Sequence, residues 1–143
     1  MPELNAYLVI ILVSLILAHI LGTVAEVLNL KAIKPELPEE FQDHYDAEQY
    51  QKSQDYLRDN TRLSLIRSNI SLAAVLAIIL LGGFEVLDQA LRELGLNEIL
   101  TGLGFFAAIV IVSDVASMPF DLYRTFVLEE KYGFNKTTPR TYV

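Results

Sequence analysis

His19 and His44 are the only histidines, and the sequence has no cysteine. Thiolate zinc sites, cysteine nucleophiles and disulfides therefore have no residues to form from, and the redox compartment stays open. No His-x-x-x-His pair occurs, so a helical two-histidine zinc site cannot be built from this sequence alone. What remains is a set of ionisable residues within or beside apolar stretches: His19, Glu26, Glu85 and Asp114. Near the centre of a bilayer such a group costs at least about 2.5–3.5 kcal/mol, so it normally faces protein or a water-filled cavity. His19 and Glu26 fall on one helical face. One reading is a polar cavity between helices, a proton or substrate path through His19 and Asp114. Three spans would have to oligomerise to enclose it. The plainer reading places Glu26 and Glu85 at the membrane interface and lets His19 and Asp114 satisfy each other or a neighbouring helix.

These residues sit in an unusual frame. Apolar residues make up 52% of the 143 residues, and they gather in three blocks instead of recurring on one face. The blocks predict an all-α integral membrane protein with about three transmembrane helices, at 4–25, 70–87 and 99–123. A spanning helix needs roughly 20 mostly apolar residues. A cleaved signal peptide competes for the first block, but it wants a basic start and a shorter apolar run. The start here is Met1-Pro2-Glu3, which favours an uncleaved span. The third block is rich in small residues, Gly102, Gly104, Ala107 and Ala108, which let helices approach closely in lipid. Pro119 should kink or end that helix.

The loop 31–67 is long and polar. Pro35 and Pro38 break the chain, and Glu39-Glu40 open a run that reads as a surface helix over 39–66, continuing into the second span. Phe41 and Tyr45 share a face there, and Glu48 and Lys52 form a favourable i,i+4 pair. Across the short second loop, Val86, Leu87, Ala90, Leu91 and Leu94 keep helical spacing, and Gly95 is the expected stop. Basic residues cluster in the first loop (Lys31, Lys34, Lys52, Arg58, Arg62, Arg67) and in the tail 124–143 (Arg124, Lys131, Lys136, Arg140). The second loop has Arg92 alone. Basic loops stay cytoplasmic, so the first loop and the tail are expected inside and the N-terminus outside or lumenal. With 11 basic against 18 acidic residues and a net charge of -7, nucleic acid is not an expected partner. The lipid bilayer is.

The most distinctive string follows the third block: Tyr123-Arg124-Thr125-Phe126-Val127-Leu128-Glu129-Glu130-Lys131-Tyr132-Gly133-Phe134-Asn135-Lys136-Thr137-Thr138. Read on chemistry alone, it leaves the membrane at Pro119 and passes an aromatic and a cation suited to the interface. It then turns at Gly133, which should take a positive φ, with Asn135 able to cap or turn. The bland alternative is a charged helix end with a glycine stop. The string resembles the segment after the third span in the CAAX prenyl protease 1 family of multi-span zinc metalloendopeptidases. Its family-like residues are Tyr123, Arg124, Phe126, Glu129, Lys131, Gly133, Phe134, Asn135 and Thr137. Ser53, Tyr56 and Asp59-Asn60-Thr61-Arg62-Leu63 resemble, more loosely, the family's segment before its second span.

The resemblance implies an N-terminal membrane region whose Glu129–Thr138 segment faces the cytoplasm and whose spans help to wall an intramembrane chamber. The family binds zinc through a His-Glu-x-x-His helix and a later glutamate. The 143 residues contain no such motif, so the resemblance carries over no catalytic or metal residue and no cofactor to this chain. The expected partner is a catalytic protease chain or a C-terminal continuation, and the expected membrane is the cytoplasmic one in bacteria or the endoplasmic reticulum or nuclear envelope in eukaryotes. The alternative is a freestanding, non-catalytic three-span interaction protein that uses its small-residue third span.

Overall fold

A computed structural model describes residues 5–34, 36–37 and 46–137. They form α1 (Ala6–Ala32), α2 (Ala47–Leu80), α3 (Gly83–Arg92) and α4 (Glu98–Tyr123), and α4 passes directly into a π-helix over Arg124–Glu129. Three of these helices are long and apolar enough to cross a membrane. With its 27 residues, α1 extends about 40 Å at 1.5 Å per residue, more than a hydrocarbon core needs. The chain is an all-helical, multi-pass membrane protein.

Helix starts follow short polar side chains. The Asn5 carboxamide oxygen accepts from Leu8 N at 2.9 Å, that of Asn97 from Leu100 N at 2.9 Å, and the Asp46 carboxylate from Glu48 N at 2.9 Å. Each satisfies a backbone donor that the first turn leaves open. α1 half-buries Leu8, Leu12, Leu15, His19, Thr23, Glu26 and Leu30, a stripe at helical spacing. Its other faces, with Leu21 70% exposed, are suited to lipid.

The chain forms two compact units. One comprises Met1–His19 and Ser68–Met118, as far as these are described. There α2 stops at a glycine pair. Gly82 takes a φ of 75°, and a side chain on Gly83 would lie 3.0 Å from Ile78 Cγ2 and 3.2 Å from the Ile78 carbonyl. The expected span 70–87 is therefore divided: its last residues, Phe84–Leu87, belong to α3. α3 packs on α4, with the Phe84 and Phe105 rings 6.1 Å apart. Beyond α3, Gly95 takes a φ of 67° in the turn to α4, as its expected role as a stop requires.

The second unit comprises Ile20–Arg67 and Pro119–Val143, again as far as described. α2 runs unbroken through its polar part into its apolar part, as expected, from Ala47 onward. The expected start at 39–45, including the Phe41–Tyr45 face, and His44 lie outside the described residues. Pro119 does not end α4, which continues to Tyr123 and then widens into the π-helix. The Glu48–Lys52 pair does not form; Lys52 Nζ lies over the Phe134 ring, 5.8 Å from its centre.

Candidate functional site

The family-like string 123–137 begins on the last residue of α4 and runs along the polar part of α2. Three of its side chains, Thr125, Leu128 and Tyr132, are buried, and their spacing puts them on one face. That face meets α2, where Thr61 is also buried. Burying Leu128 and Tyr132 fully would remove on the order of 1.5–3 kcal/mol worth of apolar surface each from water.

The helix ends at Gly133, whose φ of 68° reverses the chain. Gly133 N donates to the Glu130 carbonyl at 3.0 Å, and the Glu129 carbonyl accepts from both Phe134 N, at 2.8 Å, and Asn135 N, at 3.2 Å. These bonds satisfy carbonyls that a helix end leaves open. The Asn135 side chain secures the turn twice: its amide donates to Glu130 Oε2 at 3.1 Å, and its oxygen accepts from Thr137 N at 2.7 Å. The positive φ and the capping asparagine were both legible in the sequence. Thr138 and the residues after it lie outside the described residues.

A single carboxylate closes the site. Asp59 Oδ2 accepts from Lys131 Nζ at 2.7 Å and from the Tyr132 hydroxyl at 2.8 Å. Arg62 reaches its other oxygen at 3.7 Å. Charge-assisted bonds of this length are the stronger kind. The bond that Lys131 donates to Asp59, and then the neighbouring Tyr132 hydroxyl, holds the Lys131 ammonium well above the usual lysine range. Burial, and then the neighbouring Asp59 carboxylate, pushes the Tyr132 phenol upward. Both shifts favour the protonated donors that Asp59 needs.

Aromatic rings flank this clasp. Tyr56 on α2 meets Tyr132 edge-on at 5.7 Å and Phe134 at 5.2 Å, geometries that the ring quadrupoles favour. About two turns further along α2, Arg67 Nη1 donates to Oδ1 of Asp121, near the end of α4, at 3.0 Å. Arg124 lies 3.7 Å from the same Asp121 oxygen and 4.0 Å from Glu129 Oε1. Tyr123 is half exposed, Phe126 is partly buried, and both belong to the same stretch.

The other two candidate residues lie in the first unit. His19 Nδ1 is 3.3 Å from the Ser68 hydroxyl, and its Nε2 is 3.3 Å from the Asn69 carboxamide oxygen. A donating Nε2–H with an accepting Nδ1 satisfies both contacts, so the imidazole joins α1 to α2. Asp114 is exposed on α4, and the Ser117 hydroxyl donates to its backbone carbonyl at 3.0 Å. Among the described residues no three His, Asp or Glu side chains gather closely enough to hold a metal.

Asp59 and Asp121 were not singled out by sequence reasoning. Asp59 stands in the Asp-Asn-Thr-Arg-Leu run, but no local pattern ties it to a lysine on another helix. The small residues of the third block divide. A side chain on Gly104 would touch Leu91 at 3.4 Å, so that glycine serves α3–α4 packing, whereas Gly102 faces open space.

A family model described as CAAX prenyl protease N-terminal, five membrane helices, matches residues 26–143. The chain is 31% identical to a CAAX prenyl protease 1 homolog of Oryza sativa subsp. japonica, covering 92% of this chain and 33% of that protein. It is 34% identical to a probable CAAX prenyl protease 1 of Schizosaccharomyces pombe, covering 71% of this chain and 24% of that protein. The crystal structure of S. mikatae Ste24p superposes with a TM-score of 0.81 at 25% identity, over 98% of this chain and 34% of that one. The chain thus spans about a third of the length of the first of these relatives.

Proposed function

We propose, from the premise that this chain belongs to the CAAX prenyl protease family and forms part of its N-terminal membrane region, that it is the membrane platform of a zinc endopeptidase acting on prenylated or other membrane-associated proteins. The platform would anchor the enzyme and present 124–138 to its catalytic part. The zinc-binding His-Glu-x-x-His helix and its later glutamate would come from a continuation of the chain or from a complementing chain. By this reading the 143 residues hydrolyse nothing alone. The first loop and the tail face the cytoplasm, and the spans help to wall the intramembrane chamber.

The observation that carries this reading is the clasp of Lys131 and Tyr132 on Asp59, which fixes the family-like string against α2. The test is complementation. The chain is co-expressed with a polypeptide bearing the remaining two-thirds of a relative, and zinc content and peptidase activity are measured in the purified membranes. Activity and stoichiometric zinc that require both chains are expected. Zinc retained by the 143 residues alone after dialysis would refute the division of labour.

A second reading is a freestanding three-span interaction protein. The space beside Gly102, at the cleft between α3 and α4, favours it. Gly102→Leu would abolish recovery of a partner in detergent if another helix docks there. Gly104→Leu would not discriminate, because it strikes Leu91 within the chain.

A further inference from the structure

The second unit contains an open cleft of about 490 Å³ between α2 and the α4–π-helix segment. Its two walls share one polarity. On α2, Asp59 and Arg62 stand at one end, and Leu63 and Ile66 follow toward the apolar half of the helix. On the other wall Lys131 stands at the same end, and Val127, Phe120 and Pro119 follow in the opposite chain direction. The charged end and the apolar end are separated by about 10 Å along α2, at 1.5 Å per residue. This is the polarity of a membrane lipid, headgroup at one end and chain at the other.

The charged end is not neutral. Two cations, Arg62 and Lys131, share the single carboxylate of Asp59. Their side chains are 64% and 61% exposed, so their outer faces remain open to an anion. The apolar end is also open, with Ile66 55% exposed. The other large clefts, at Glu85–Arg92 and Glu26–Lys34, are lined by polar and apolar groups in similar measure.

We propose that this cleft binds one anionic phospholipid, its phosphate between Arg62 and Lys131 and an acyl chain along Leu63, Ile66 and Phe120. Basic pockets beside membrane helices recognise anionic headgroups in this way. The site does not depend on which side of the membrane the cleft faces.

The purified chain in mild detergent is titrated with an equimolar mixture of phosphatidylglycerol and phosphatidylcholine, and bound lipid is counted by native mass spectrometry. Phosphatidylglycerol adducts should predominate. Arg62→Gln should lower that preference about fivefold, the worth of one cation near an anionic headgroup. Arg92→Gln removes the same charge from the other unit and should leave the preference unchanged. Val127→Trp fills the apolar end without altering charge and should reduce phosphatidylglycerol retention while circular dichroism stays helical. Equal binding of the two lipids would overturn the proposal. So would an Arg62→Gln effect no larger than that of Arg92→Gln, or full retention in Val127→Trp. Displacement of the lipid by inorganic phosphate alone would show a headgroup site without chain recognition and would also overturn it.

Discussion

Asp59 and Lys131 stand 72 positions apart in the sequence and 2.7 Å apart in the structure. Tyr132 shares the same carboxylate oxygen, so Asp59 answers two donors from one turn of the tail. A carboxamide at this position would offer one oxygen and no charge. Asp59→Asn is therefore expected to loosen the whole 131–135 turn. Hydrogen exchange at Phe134 and Asn135, whose amides close on the Glu129 carbonyl, should accelerate by more than it does at Leu100.

Tyr132 separates bonding from packing. Tyr132→Phe keeps the buried ring and its edge contact with Tyr56 and loses the hydroxyl bond, which is worth about 1.5–3 kcal/mol toward a charged acceptor. Tyr132→Ala also loses the ring, about 3–5 kcal/mol by analogy with other buried aromatics. Thermal melting in detergent should rank wild type above Phe and Phe above Ala.

Gly133→Ala should be costly and Gly102→Ala should not. At Gly133 the φ of 68° is unfavourable for any L side chain, and the new Cβ would meet Lys52 Nζ at 3.4 Å. The backbone cost alone is about 1–2 kcal/mol. Gly102 lies in open space within a helix, where alanine is the better helix former. Melting temperatures of the two variants should move in opposite directions.

The clasp has a signed pH dependence. Lys131 and Tyr132 both have folded-state pKa values raised above their unfolded values. Their contribution is thus fully present below the unfolded pKa values, about 10 for both groups, and is lost as pH rises through the folded ones. Stability measured from pH 8 to 11 should fall at the alkaline end. In Asp59→Asn the fall should begin at the same pH but end sooner and be shallower, and the tyrosinate absorbance attributable to Tyr132 should rise earlier.

The absence of cysteine allows a clean test of the proposed orientation. Single cysteines at Lys136 and at Leu96 should label from opposite faces of sealed vesicles with an impermeant maleimide. Labelling of both from one face would contradict the expected alternation of spans.

The three spans and the Gly133 turn were legible because each rests on local chemistry: apolar runs long enough to cross lipid, and a glycine followed by an asparagine where the chain must reverse. The end of α2 was misplaced because Phe84, Val86 and Leu87 continue the apolar run after the chain has already turned at Gly82. Only the crowding around Ile78 distinguishes the two. Of the two outcomes expected at Pro119, a kink or an end, the end does not occur: α4 continues to Tyr123 although proline lacks a backbone donor. The role of Asp59 was invisible because neither of its principal partners lies on its own helix.

The π-helix at Arg124–Glu129 ties the clasp to chain length. A π-turn holds a residue more than an α-turn, and each residue of an α-helix turns the chain by about 100°. Losing one of its six residues would let the segment tighten to an α-helix and leave Tyr132 in phase with Asp59, whereas losing one from the α-helical turns beside it would swing Tyr132 away. Every residue type that builds the clasp could then survive in a relative and the clasp still be gone. A one-residue deletion between 124 and 129 should therefore spare the hold on this tail in homologous chains, and one in the flanking α-helical turns should break it.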